Sequence, residues 1–312
     1  MPTSVLSVSD GPRTTVADIV GMPMLIPARI IESLANTDIV PQLLRDAGPN
    51  TNGLVSFHES TPLYLGRDVE DMAEFAEIPV AAGQIGLPRI AYSTRRALGV
   101  RVSEDMRRKN RMDLVNLQIT QLINTMQRAR IRVLRKLLTD PTIPTIAASA
   151  AWTAVGSKPR RDIANASEIV GAAEPFPTSA EDDDTFGFIP DTVVFPRSIV
   201  PVLQDNTDFL QVYKDSLSTE SIAYTGRLER DVLGMLALTS RSWPKDRVLV
   251  LERKVVGFYS DTRPLESTGL YPEGGGGNGG PTESWRSDTS EERVTGVDQP
   301  LAACWITGVQ AA

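Results

Sequence analysis

Chemistry in this chain would have to run through very few side chains. There is one histidine, His58, and one cysteine, Cys304, in 312 residues. A Ser-His-Asp or Cys-His relay would depend on His58 alone, and zinc catalysis would have a single imidazole to work with. The lone cysteine excludes an internal disulfide and a cysteine-built zinc cluster. His58 stands in GLVSFHESTPLYL, where an expected strand opens, and reads as a structural or solvated imidazole rather than a base. Cys304, in ACWITGV, lies in an apolar run and reads as a small buried hydrophobe. The acidic run EDDD at 181–184 lacks EF-hand spacing and reads as a solvated turn. GGGGNGG at 274–280 matches G-x-G-x-x-G only because nearly every position is glycine. No strand leads into it, no helix follows, and Pro281 closes it, so a loop tip is expected instead of a phosphate cradle. The expected catalytic, cofactor-binding and metal-ligating sets are therefore empty, and function has to be sought in surfaces.

Composition narrows the class without naming a task. Hydrophobic content of 41% and charged content of 23% are ordinary for a globular protein, and the length suggests about two domains. No stretch approaches the roughly 20 apolar residues of a membrane helix. The first twenty residues lack a basic start followed by an apolar run, so no signal peptide is expected. A soluble protein made in a reducing compartment fits these features, with no membrane partner.

Charge is segregated along the chain. From Ser103 to Leu138 there are nine Lys/Arg against three Asp/Glu, a balance of +6 in a chain of −7, so the rest carries −13. This segment also has the pattern of one long, uninterrupted helix. Ser103 is a good N-cap, Glu104 and Asp105 favour the positive helix start, and Arg128, Arg130, Arg132, Arg135 and Lys136 crowd the other end. Met112, Val115, Ile119, Leu122, Met126, Ala129, Val133 and Leu137 recur at three and four, an apolar stripe along a helix of some nine turns, at about 3.6 residues per turn.

The other elements follow from their own spacing. Residues 1–50 are interrupted by Pro12, Pro23, Pro27, Pro41 and Pro49 and read as an arm that must lie on something else, with a short helix expected in ARIIESLANTD. Residues 56–102 read as a long two-stranded β excursion. Ile90, Tyr92, Leu98, Val100 and Val102 fall on one face of it, with Arg89, Ser93, Arg95 and Arg101 on the other. A hairpin of that length is marginal alone and needs a partner surface. A short helix is expected near Ala164–Ala172, an α+β pattern from Thr185, and strands from there to the C-terminus.

This order, with ALGVRVSEDMRRKNRMDL, VLVLERKVVGFYSDTRPLE and ERVTGVDQPLAACWITGV, resembles the major capsid proteins of tailed bacteriophages. It is most similar to those of phages infecting actinobacteria. The resemblance implies the α+β Hong Kong 97-type shell fold. Its expected parts are an N-terminal arm (1–55), an E-loop hairpin (56–102), a P-domain with the spine helix (103–185) and an A-domain (186–249). P-domain strands and a loop (250–300) and a C-terminal strand returning to the A-domain (301–312) complete it. It further implies self-assembly into pentamers and hexamers of an icosahedral shell around double-stranded DNA, hence a virion protein synthesised in the host cytoplasm. Packaged DNA would be held only non-specifically, and portal and decoration proteins are family partners. Some relatives fuse a scaffolding domain ahead of the arm; here about fifty residues precede the hairpin, which implies a separate scaffolding protein or none. Where some members join an E-loop lysine to a neighbour's asparagine, residues 66–99 hold arginines and no lysine.

The basic helix end then has two readings, a solvated face or a contact with acidic segments of this or a neighbouring subunit. DVEDMAEFAE, with Asp68, Glu70, Asp71, Glu74 and Glu77, is the leading acidic candidate, and Arg128 and Arg132, with Arg89 and Arg95 of the hairpin, are the basic ones. Two other functions stay open. An encapsulin-type nanocompartment shell shares the fold, and a nucleic-acid-binding protein could use the Arg-rich helix, though a pI near 5.0 weighs against it.

Overall fold

The computed structural model describes residues 15–65, 69–175, 185–209, 231–274 and 279–310. They divide into two compact units, each assembled from separated stretches of chain.

The first unit takes residues up to 38, then 94–130 and 261–293. Its sheet is built on the strand Ser284–Val297, whose residues 284–293 pair antiparallel with Thr94–Ser103, with Trp285 opposite Val102 and Glu291 opposite Arg96. Side chains alternate along such a strand, so Val100 and Val102 face inward while Arg95, Ala97, Gly99 and Arg101 share the other face. The inner face packs on the helix Met112–Leu138 through Val115, Ile119, Leu122 and Met126.

The N-terminal segment differs from the arm expected of it. Val16–Gly21 and Leu25–Thr37 are helices, and Val16, Ile19, Ile26, Ile30 and Leu34 are buried in the same core. Burying such side chains is worth about 1.5–3 kcal/mol each, which anchors the segment to its own subunit. Pro27 is tolerated because it sits in the first turn, where the backbone N–H has no intrahelical partner. The Thr15–Asp18 capping box starts the first helix, and this hydrogen bonding to Thr15 holds the Asp18 carboxyl below its ordinary range.

The long helix is also interrupted where continuity was expected. Ser103 caps Glu104–Arg108 as anticipated, its Oγ accepting from the Met106 amide at 3.3 Å. The chain then turns through Asn110 at φ 47°. Asn110 N–H donates to Arg107 C=O and Arg111 N–H to Met106 C=O, the Schellman pattern with asparagine in the left-handed position. Met112–Leu138 restarts beyond it and runs 27 residues, about 40 Å. Its buried stripe departs from the expected one after Met126, passing through Arg130, Leu134 and Leu138 instead of Ala129, Val133 and Leu137.

The second unit holds residues 39–93, 131–260 and 294–312. Its six-stranded sheet runs in the order Thr145–Ala147, Ala303–Thr307, Arg247–Leu251, Thr192–Pro196, Met235–Ser240, Asp231–Val232. Both faces are covered, so the inner strands carry unbroken apolar runs such as TVVF and VLVL. Val193, Phe195, Val248, Val250, Cys304 and Ile306 pack with Ile163, Ala166 and Val170 of the helix Pro159–Gly171. Val194, Leu249, Leu251 and Trp305 pack on the opposite face with Leu134, Leu138 and Trp243. Trp305 donates its indole N–H to Leu138 C=O at 2.6 Å. Residues 131–171 thus group with this sheet, whereas a single segment 103–185 had been expected to accompany the long helix.

Of the hairpin expected over 56–102, the second unit holds Leu54–Glu59 antiparallel to Leu87–Tyr92, closing at the Glu59–Leu87 pair, whereas Thr94–Ser103 leaves it to pair with Ser284–Val297. Gly86 is required there, because a Cβ would run into the Glu59 carbonyl oxygen. Phe57 is edge-on to Phe258 at 5.1 Å and ties the hairpin stem to its unit.

Candidate functional site

The two residues with most intrinsic chemistry hold ordinary positions. His58 is exposed on the hairpin strand Leu54–Glu59. Cys304 is buried in the six-stranded sheet, where burial pushes its thiol up to about 11 and keeps it protonated and inert. Among the described residues no group of three or more His, Cys, Asp or Glu could hold a metal ion. The acidic run 181–184 and residues 275–278 of the glycine run lie outside the described residues.

What the structure does present is unburied apolar surface. Beyond the stem, the described residues of 60–86 form no helix or strand. Phe75 is 98% exposed, Val80 89% and Ile78 77%, with Leu63, Tyr64, Leu65 and Ile85 exposed as well. Isolated exposed apolar residues are normal, but a contiguous set on one loop marks an interaction site. Phe75 also has φ 67°, an unfavourable conformation for a bulky residue.

The acidic candidates share that loop. Glu70, Asp71, Glu74 and Glu77 are all exposed, and Asp68 lies outside the described residues. Arg128 and Arg132 are exposed on the long helix, and neither has an ion pair to a described acid. Arg89 instead pairs with Glu59 across the hairpin stem at 2.5 Å. At the start of the basic segment, Glu104 pairs with Arg107 and Arg108, and Asp105 with Lys109, all at helical spacing.

One charged group that spacing did not reveal is Arg130. It is 6% exposed, donating to Glu291 through Nε at 2.9 Å and again through Nη2, and to Asp38 through Nη1 at 2.7 Å. Arg293 adjoins the cluster, 3.5 Å from Asp38 and paired with Asp261 at 2.5 Å. The available signal was Leu134 and Leu138 at i+4 and i+8 from position 130, which extends the stripe from Met126 by steps of four.

Arg95, by contrast, stands at the open face of the first unit's sheet. It lines a cleft of about 750 Å³ together with Ala97, Gly99, Arg263, Thr268 and Ser290. Nearby, Asp288 accepts from Tyr271 Oη and from Arg286 Nε, each at 2.6 Å. Partial burial of Asp288 opposes its ionisation, but these two donors outweigh it and hold the carboxyl below its ordinary range, while the same bond raises Tyr271. Glu273 is likewise held low, first by Ser284 and then by Arg101. These fixed ion pairs frame the cleft, and Arg95 and Arg263 have no ion pair among the described residues.

No family model and no curated protein matches the sequence. Solved structures do match the fold. A virus-like particle from Pyrococcus furiosus aligns at TM-score 0.57 and 10% identity, over 90% of this chain and 97% of that one. A chain of Gordonia phage Cozz aligns at TM-score 0.55 and 12% identity, over 100% of this chain and 92% of that one. The capsid of Myoviridae phage XM1 aligns at TM-score 0.51 and 11% identity, covering 83% and 88%. Microbacterium and Mycobacterium phage chains are among the other matches. With its mixed α/β units and its long exposed hairpin, this chain has the fold of the phage capsid proteins.

Proposed function

We propose that the chain is the major capsid protein of a tailed phage, assembling into the pentamers and hexamers of an icosahedral shell around double-stranded DNA. The observation that carries this reading is the hairpin loop, which exposes Phe75, Ile78 and Val80 on a chain whose fold is that of capsid proteins. An apolar loop of this length lowers its free energy only by being covered, and repeated copies of the same subunit supply the cover. On this reading the hairpin is the E-loop, Met112–Leu138 the spine helix, the first unit the P-domain, and the six-stranded sheet the A-domain with its returning C-terminal strand.

A second reading rests on one observation, the match to the virus-like particle from Pyrococcus furiosus. A nanocompartment shell of the encapsulin type would need the same loop and the same units but would enclose protein cargo. Electron microscopy of the purified chain tests both. Closed shells of uniform size are expected, and a dispersed monomer at high concentration would overturn the shell reading. Shells recovered from phage lysates should contain duplex DNA, whereas protein cargo in them would establish the nanocompartment.

A further inference from the structure

The exposed loop and the open cleft are complementary in charge, and no described residue fills the cleft. The cleft is lined by the small residues Ala97, Gly99, Thr268 and Ser290, by Leu98, and by Arg95 and Arg263. At Gly99 a Cβ would collide with the Asp288 carboxylate. Asp288 is already occupied by Tyr271 and Arg286, so it offers little repulsion to an incoming acid. Counting Glu266, the lining holds three arginines against two acids. The loop presents the reverse: a bulky aromatic, Phe75, between Glu74 and Glu77, with no base from 69 to 78. Phe75 is held at positive φ while fully solvated, a cost of about 1 kcal/mol or more.

We propose that Phe75 of one copy seats against the small residues of this cleft in a second copy, with Glu74 and Glu77 meeting Arg95 and Arg263. This rests on the shell reading and adds the receiving surface to it. The aromatic supplies the desolvated anchor, and the exposed acid–arginine pairs fix its orientation more than they add affinity. The sequence also offered Arg128 and Arg132 as partners of these acids. The cleft is the better receptor because it combines arginines that have no ion pair among the described residues with a concavity of about 750 Å³.

Photo-crosslinking tests the contact directly. The chain would carry p-benzoylphenylalanine in place of Phe75, be mixed with 15N-labelled parent chain, assembled, irradiated and digested. Crosslinked peptides are expected to join the loop of one isotope to residues 95–99, 263–268 or 286–290 of the other. Cleft crosslinks confined to one isotope, with no mixed-isotope pairs, or crosslinks to the long helix around Arg128 and Arg132 in place of the cleft, would overturn the proposal. Particles that form but give no crosslink to the cleft would sink the docking and leave the shell intact. If the parent chain forms no particles, both readings fall together. In a second variant, Phe75→Ala should raise the protein concentration needed for assembly by roughly tenfold or more without altering the fold of the free subunit by circular dichroism. An unchanged requirement would count against the anchor.

Discussion

Arg130 shows how much a single buried charge can demand of its surroundings. The side chain lies among apolar residues of the long helix, and its buried charge is compensated by Glu291 and Asp38, which both accept from it. Removing one member of such a cluster leaves the others buried and uncompensated, at a cost of about 3–5 kcal/mol. Arg130→Met is therefore expected to lower the denaturant midpoint of the purified chain strongly. Arg130→Met combined with Glu291→Gln should recover part of that loss, and additive losses in the pair would show that the charges act independently. Cys304 supplies the opposite case, a reactive side chain silenced by burial. With its thiol pushed up to about 11, almost none is thiolate at pH 8. Alkylation with iodoacetamide should be negligible in the native protein and complete after unfolding. Rapid native labelling would place Cys304 outside the core.

At the scale of elements, the N-terminal helices have a role that proline content concealed. They contribute Val16, Ile19, Ile26, Ile30 and Leu34 to the core of the first unit. Removing residues 1–37 should abolish hydrogen-exchange protection along 112–130 while leaving the strands 192–196 and 247–251 protected. Equal protection in both regions would mean that the helices are dispensable. The strands of the six-stranded sheet were legible in the sequence because burial on both faces forces runs such as TVVF and VLVL. The strand Thr94–Ser103 and the Ser103 cap were legible for comparable local reasons: alternation in the one, side-chain chemistry in the other. Two features were hidden. Proline at the start of a helix looks like a breaker unless its position in the first turn is known, which is why the segment was read as an arm. Asn110 broke the long helix through one left-handed residue, against a periodic pattern that gave no warning. The candidate site was half visible: its acidic loop stood out in composition, but the cleft combines residues from three strands far apart in sequence.

For the whole molecule, the absence of lysine from 66–99 has a chemical consequence. A guanidinium stays protonated and cannot replace an amine as nucleophile, so the E-loop isopeptide crosslink of some capsid proteins has no donor there. Particles boiled in denaturing detergent with reductant should release a single band at 33.9 kDa, and a surviving ladder of pentamers and hexamers would refute this. Cohesion would then come from buried apolar surface, led by the loop around Phe75. The most direct measurement is sedimentation velocity of the intact purified chain beside a version lacking residues 61–86. The intact chain is expected to sediment as a narrow megadalton species and the shortened one as small, folded subunits. A monomer of 33.9 kDa that persists in the intact chain at every concentration, with its apolar loop exposed to water, would contradict the proposed shell.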